Sequence, residues 1–188
     1  RLVIEMEEMP TTGEHYVIET WVNRIYRQFT DRLFAITNPL TGKVYGYAFS
    51  TWALIDTTSR QPMDLAELPN GGFSSALIEK EIPIAGPGRI RLKNTENAVR
   101  TRQAYYTDLD INGHVNSIRY IEMMLDLFPA KQFEASPVKR LEVAYSAEAY
   151  ANDFLQFYQE PSAKSDATLV EIRKEEGRIP VVKAAITF

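Results

Sequence analysis

The stretch DLDINGHVNSIRYIE, Asp108 to Glu122, sets Asp110, Asn112 and His114 at alternate positions, with Asp108 two residues ahead. An oxygen-rich loop of this kind suggests calcium, whose EF-hand loop takes ligands at its first, third and fifth positions, glycine at the sixth and a bidentate Glu at the twelfth. Counted from Asp108, Gly113 fits, but Arg119 puts a permanent cation where the strongest carboxylate belongs. The preceding RTRQAYYT alternates like a strand and supplies no entering helix. Calcium is rejected. Two readings remain. Asp and Asn ahead of a helix serve as Asx-turns and caps. Alternatively, in an extended chain residues i, i+2 and i+4 share one side, so Asp110, Asn112 and His114 converge just before a helix N-terminus. The unpaired N–H groups there would stabilise an oxyanion.

A second acid lies in YSAEAY. Glu148, placed on a strand among Tyr145, Ala147, Ala149 and Tyr150, is either an exposed strand glutamate or a partly desolvated carboxylate whose raised pKa suits a general base. His15 has no comparable company and reads as a strand histidine on a polar face.

Composition narrows the chemistry. The chain has 188 residues, no cysteine and two histidines, which excludes disulfides, thiolate nucleophiles and a histidine-rich metal site. No cofactor or metal is expected. A formal charge of -4 argues against a generic nucleic-acid binder, although Arg89, Arg91, Lys93, Arg100 and Arg102 form a basic cluster opposed only by Glu96. That cluster is a solvated face or a docking surface for an acidic partner. No apolar run approaches the ~20 residues of a membrane-spanning helix, and nothing at Arg1 reads as a signal peptide. For a bacterial chain the expected location is cytoplasmic.

The elements that position these residues repeat. RLVIEMEEMPTTGEHYVIE from Arg1 lies without gaps over RLEVAYSAEAYANDFLQFY from Arg140, with strands restarting at Glu14 and Asp153. After a four-residue slip, DRLFAIT from Asp31 lies over DATLVEI from Asp166, and TGKVYGYAFSTW from Thr41 over EGRIPVVKAAIT from Glu176. Each half therefore carries one strand meander, with Gly42 and Gly177 at hairpin turns. Met9 is the counterpart of Glu148, so only the second half carries the full acid-Asn-His set. That half also has a lead-in: a strand over residues 98 to 106 and a helix from Ser117 to Phe128. The helix has Asn116 as N-cap, Pro129 as stop, and Ile118, Ile121, Leu125 and Phe128 as its apolar stripe. A helix against an antiparallel sheet is an α+β layer arrangement. By the same repeat, the first half is expected to own a strand and helix upstream of Arg1, about 45 residues judged from the second lead-in. Between the halves, PNGGFSSALIEKEIPIAGPG reads as an ordered linker with a short helix around Ser74 to Lys80. The expected organisation is 1–68, first half; 69–95, linker; 96–188, second half.

DLDINGHVNSIRYIE with the later YSAEA resembles the acyl-acyl carrier protein thioesterases that end fatty-acid synthesis. EHYVIETWV, DRLFAI, TGKVYGYAFSTWALID and TSRQP are similar to that family's first half, and residues from about 98 onward to its second. The resemblance implies a tandem hotdog fold, each sheet wrapped around a long helix, and hydrolysis of the acyl thioester on acyl carrier protein. The matching site positions are Asp110, Asn112, His114 and Glu148. Ala149 stands where plant members carry a cysteine, so no thiol acyl-enzyme forms here. Water is then the expected nucleophile: Glu148 and His114 accept its proton, Asp110 orients its neighbour, and Asn112 with helix amides holds the oxyanion. Acyl carrier protein, itself acidic, would dock on Arg89, Arg91, Lys93, Arg100 and Arg102. Trp21, Phe34, Tyr47 and Trp52 either line an acyl pocket or are core aromatics. The rivals are a coenzyme A thioesterase, an acyl-binding hotdog protein without turnover and, with less support, a hydratase. Hotdog proteins commonly dimerise, but a tandem pair can form the same contact within one chain, so oligomeric state stays open.

Overall fold

The computed structural model describes residues 1–59, 61–68 and 76–188. The chain forms two compact units, residues 1–87 and 88–188. In the first, β1 (Leu2–Met6), β2 (Val17–Tyr26), β3 (Phe29–Thr37) and β4 (Val44–Ala53) form an antiparallel sheet in the order β2-β3-β4-β1. The second contains β5 (Arg100–Gln103), α1 (Ser117–Leu125), α2 (Ala130–Ala135), β6 (Arg140–Tyr145), β7 (Phe154–Pro161), β8 (Thr168–Lys174) and β9 (Ile179–Thr187). Its strands run β7-β8-β9-β6, the same order and sense as the first unit, with β5 added beside β7. Among the described residues no helix is long and apolar enough to cross a membrane.

The sequence repeat is therefore a repeat of topology, and it extends to the backbone. Gly13 and Asn152 occupy equivalent turns and both have positive φ, 92° and 70°. Gly42 and Gly177 do the same at 73° and 81°, in the left-handed region where a missing Cβ removes the steric cost. The first strand of each meander ends the same way. After β1 the N–H groups of Glu7 and Glu8 both donate to the Tyr45 carbonyl at 2.8 and 3.2 Å, and after β6 those of Ser146 and Ala147 both donate to the Val181 carbonyl at 2.8 and 3.2 Å. Two donors on one acceptor leave an unpaired residue, a bulge that turns the chain out of the sheet.

Several boundaries differ from expectation. β5 is only four residues long because the chain tightens into a one-turn 3-10 helix at Tyr106–Asp108. Strand β2 starts at Val17, after a turn at Thr12–Gly13, and not at Glu14. Helix α1 starts where expected, with Asn116 Oδ1 accepting the Ile118 N–H at 2.9 Å, but ends at Leu125. Its last turn tightens through Leu127 N–H to Met124 and Phe128 N–H to Leu125 before Pro129 opens α2. Its buried side chains are Tyr120, Ile121, Met123 and Met124, whereas Ile118 is exposed. The expected stripe shared only Ile121 with that set, because apolar residues occupy both neighbouring i, i+3, i+4 rows of this helix. Ser74 and Ser75 lie outside the described residues. Of the rest of the expected linker helix, Ala76 is in 3-10 conformation and the chain is extended from Leu77, which bridges Val22 in parallel, with the Ile78 N–H bonded to the Val22 carbonyl.

Candidate active site

The motif loop is held at both ends by one buried acid. Asp108, 5% exposed, accepts the Tyr105 N–H and Arg102 Nη2, each at 2.8 Å, while its backbone carbonyl accepts the Asn116 N–H at 2.8 Å. Burying a carboxylate is costly unless it is paired and hydrogen-bonded, and here it is both. Sequence reasoning passed over Asp108, which appeared only as a failed calcium ligand.

Between those ends the chain is a tight turn, not an extended run. Leu109 bridges Val115, Asp110 N–H donates to the His114 carbonyl at 2.8 Å, and Gly113 has φ of 77°. Asp110 Oδ1 accepts the N–H groups of Asn112 and His114 at 2.8 and 3.2 Å. This is an Asx-turn, so the two readings of the motif are compatible: the aspartate shapes the backbone that presents the histidine. Desolvation works to raise the Asp110 carboxyl, but the two N–H donors and the nearby imidazole outweigh it and hold it below its ordinary value. The convergence expected from alternate spacing is only partly found, because a turn does not keep i, i+2 and i+4 on one side. Asp110 and His114 line a pocket of about 220 Å³, whereas Asn112 is exposed at the turn tip and is not part of that lining.

Glu148 reaches the same pocket from the opposite side. The bulge at Ser146–Ala147 ends β6 at Tyr145, which places Glu148 on the connection to β7 and not on the strand. Its Oε2 lies 3.4 Å from His114 Nε2. Its side chain is 42% exposed, so the carboxylate is covered only in part. Two backbone contacts tie this connection to the motif loop: His114 bridges Tyr150, and the Val115 N–H donates to the Ala149 carbonyl at 2.8 Å.

Asn116, Ser117, Tyr120, Tyr145 and Ala147 complete the pocket. Ser117 opens α1, whose first N–H groups have no partner within the helix. Tyr145 fixes that turn by donating its hydroxyl to the Ser117 carbonyl at 3.2 Å. Burial pushes the Tyr120 and Tyr145 phenols upward, so both stay protonated at neutral pH. The backbone of Ala149 favours the Tyr120 phenolate, but its geometry falls short of a hydrogen bond, and the Tyr120 hydroxyl has no partner among the described residues. The arrangement offers an acid and an imidazole in contact, a helix start facing them, and two tyrosines as walls. It suits proton abstraction from a small nucleophile beside a polarised carbonyl. His15 is exposed between the Thr12–Gly13 turn and β2, ahead of the strand on which it was expected and remote in sequence from these groups.

The basic cluster divides. Arg89, Arg91 and Lys93 border a groove of about 980 Å³, together with Lys164, Glu142 and Glu160. The cluster was expected to face only Glu96. Both further carboxylates are engaged: Glu142 accepts from Arg140 and the Gly88 N–H at 2.8 and 2.9 Å, and Glu160 from the Lys93 and Asn94 N–H groups at 2.8 and 2.9 Å. Those two donors hold the Glu160 carboxyl below its ordinary value. Arg100 and Arg102 lie on β5, and Arg102 is committed to Asp108. Of the four aromatics, Phe34 and Trp52 line an apolar pocket of about 420 Å³ in the first unit with Val22, Leu54 and Leu65. Trp21 and Tyr47 join the core cluster of Leu33, Ala35, Phe49 and Ile82.

Residues 1–68 match the family model of the acyl-ACP thioesterase N-terminal domain, and residues 92–188 that of its C-terminal domain. A crystal structure of an acyl-ACP thioesterase from Bacteroides thetaiotaomicron is 40% identical, with a TM-score of 0.89 over 100% of this chain and 74% of that one. The 12:0-ACP thioesterase of Umbellularia californica has a TM-score of 0.83 at 20% identity, over 98% of this chain and 72% of that one. The dodecanoyl-[acyl-carrier-protein] hydrolase of Cinnamomum camphora is 25% identical over 98% of this chain. The chain spans 50% of that plant protein and 39% of the palmitoyl-acyl carrier protein thioesterase of Gossypium hirsutum. The fold shared with the solved structures is the α+β hotdog that the resemblance implied.

Proposed function

Because the chain belongs to the acyl-ACP thioesterase family, we propose that it hydrolyses the thioester of a fatty acyl chain carried on acyl carrier protein. The observation that carries this reading is the contact of His114 Nε2 with Glu148 Oε2 at 3.4 Å, on the rim of a pocket faced by the start of α1. A water held by this pair attacks the thioester carbonyl carbon as its proton passes to Glu148 or His114. The carbonyl becomes an oxyanion, which the Ser117 N–H and the positive end of the α1 dipole would stabilise. Asn112, at the exposed turn tip, is left with a part in turn formation. The oxyanion collapses, the carbon–sulfur bond breaks and the thiolate leaves. A thiol has a pKa of about 8.5, so departure asks little of a general acid. The proton taken from water returns to the thiolate, and the products are free fatty acid and carrier thiol. Asp110 acts through the backbone, holding the turn that carries His114.

The groove bordered by Arg89, Arg91, Lys93 and Lys164 is the surface offered to an acidic carrier, since its carboxylates are already bonded to neighbouring donors. The apolar pocket around Phe34 and Trp52 has the lining an acyl chain takes. The deciding experiment is release of free fatty acid from a chain-length series on acyl carrier protein, run beside the matching coenzyme A esters. Preference for the carrier-bound series supports the reading. Preference for coenzyme A esters, with inhibition by free coenzyme A, replaces the carrier. Binding without turnover of either series removes the enzyme assignment.

A further inference from the structure

The motif and its acid account for Glu148 and His114 but not for the group that touches both. Tyr150 donates its hydroxyl to Glu148 Oε2 at 3.2 Å, the oxygen that faces His114. Its ring meets the imidazole edge-on, with centroids 5.2 Å apart and planes at 83°. Its backbone bridges His114 across the two loops. Tyr150 is itself anchored: its N–H donates to Asp153 Oδ2 at 3.0 Å, and the Lys174 ammonium lies 5.4 Å over its ring and 3.6 Å from the same carboxylate oxygen. One side chain thus holds the acid by its hydroxyl and the imidazole by its ring, and it is not part of the pocket lining.

We infer that Tyr150 is a positioning residue for the Glu148–His114 pair, fixing the carboxylate against Nε2 from behind while leaving the pocket side open to substrate. A glutamate has three rotatable side-chain bonds, whose freedom must be restrained if Oε2 is to stay against His114 Nε2. The phenol removes that freedom without displacing the nucleophile. It also donates to the ionised form of Glu148, which favours the proton-accepting state. The other ionisable groups around Glu148 are Asp110 and His114 on the motif loop, Tyr120 on α1, Tyr145 at the end of β6, Asp153 before β7 and Lys174 on β8. Lys174 opposes the two aspartates.

The inference rests on the proposed hydrolysis, so its test pairs activity with a readout that needs none. Tyr150→Phe keeps the ring on His114 and deletes only the hydroxyl. On acyl carrier protein thioesters kcat should fall about 5- to 10-fold with KM within twofold, because positioning of a base acts on the chemical step. The acid limb of kcat/KM should move to higher pH, since a carboxylate that loses a donor is easier to protonate. Independently, side-chain nitrogen NMR of His114, with His15 as the only other histidine and therefore an internal reference, should show the same direction of change in Tyr150→Phe as in Glu148→Gln. Tyr150→Ala, which also removes the ring, should give a larger change. Unaltered His114 signals with kcat and pH profile within twofold and ~0.2 pH of the parent would overturn the inference. If the parent hydrolyses no thioester yet the His114 signals respond, the function assigned above fails and the positioning contact stands.

Discussion

Replacing Glu148 by Gln tests whether the pair at the pocket rim works as one unit. The substitution keeps volume and leaves an oxygen for Tyr150, but removes the charge and the basic site. Loss of a general base costs about 10²- to 10⁴-fold in rate, and the lower end applies to a carboxylate that is 42% exposed and not strongly desolvated. A loss near 10² is about 2.7 kcal/mol of transition-state stabilisation. The coupling to His114 follows from the distance. Once the imidazole has taken up the proton, unit charges 3.4 Å apart attract by about 1.2 kcal/mol at the dielectric of water and about 4.9 at an effective value near 20. With the imidazole 21% and the carboxylate 42% exposed, solvent screening discounts the larger figure to about 2 kcal/mol. The double variant His114→Ala/Glu148→Gln should therefore lose about 8- to 30-fold less than the product of the single losses. The assay is single-turnover hydrolysis of acyl carrier protein thioester at saturating enzyme, with thermal melts confirming that each variant folds. Single losses that multiply in the double variant would refute the unit, and Glu148→Gln activity above about one third of the parent would refute the base.

Three further outcomes follow. Reversing Arg89 and Arg91 to Glu should raise KM for carrier-bound substrate about 10-fold relative to a small thioester, with a shallower salt dependence; equal effects on both substrates would show that the groove is not a docking surface. Gly46→Ala should lower the urea-derived stability by about 2–3 kcal/mol, because the added Cβ would overlap the Glu5 carbonyl oxygen in the β1–β4 pairing, where backbone cannot give way; a loss below about 0.5 kcal/mol would contradict the register. Glu160 has a lowered folded pKa, so its contribution is fully present above the unfolded glutamate value and lost as pH falls through the lowered one. Amide protection at Lys93 and Asn94 should fall over that acid window, and constant protection would show that the carboxylate does not hold the segment.

What could be read from the chain divides by range. The two meanders, the paired glycines at Gly42 and Gly177, and the Asn116 cap were legible because alternation, positive φ and capping are local in origin. The turn at Asp110 was legible only as one of two readings, since aspartate at i and asparagine at i+2 can serve an extended run or an Asx-turn, and spacing alone does not choose between them. Glu148 came from aligning the halves, but its exit from the sheet depends on two N–H groups sharing one distant carbonyl, which no local pattern encodes. Arg102 looked like a docking cation because its buried partner Asp108 sat inside the motif under another reading. Tyr150 stood in the quoted YSAEAY and counted only as apolar company, because a contact to an imidazole on another loop leaves no trace in spacing.

The two backbone ties between the motif loop and the β6–β7 connection, at His114–Tyr150 and Val115–Ala149, have a mechanical meaning. Acid and imidazole are stitched to a common piece of backbone, so thermal motion that carries one loop carries the other, and their separation is insulated from breathing of the pocket. Changes elsewhere in the walls then alter what is admitted while leaving the spacing of Glu148 and His114 intact. A chain built this way can diverge in what its pocket accepts without disturbing the contact of Glu148 with His114.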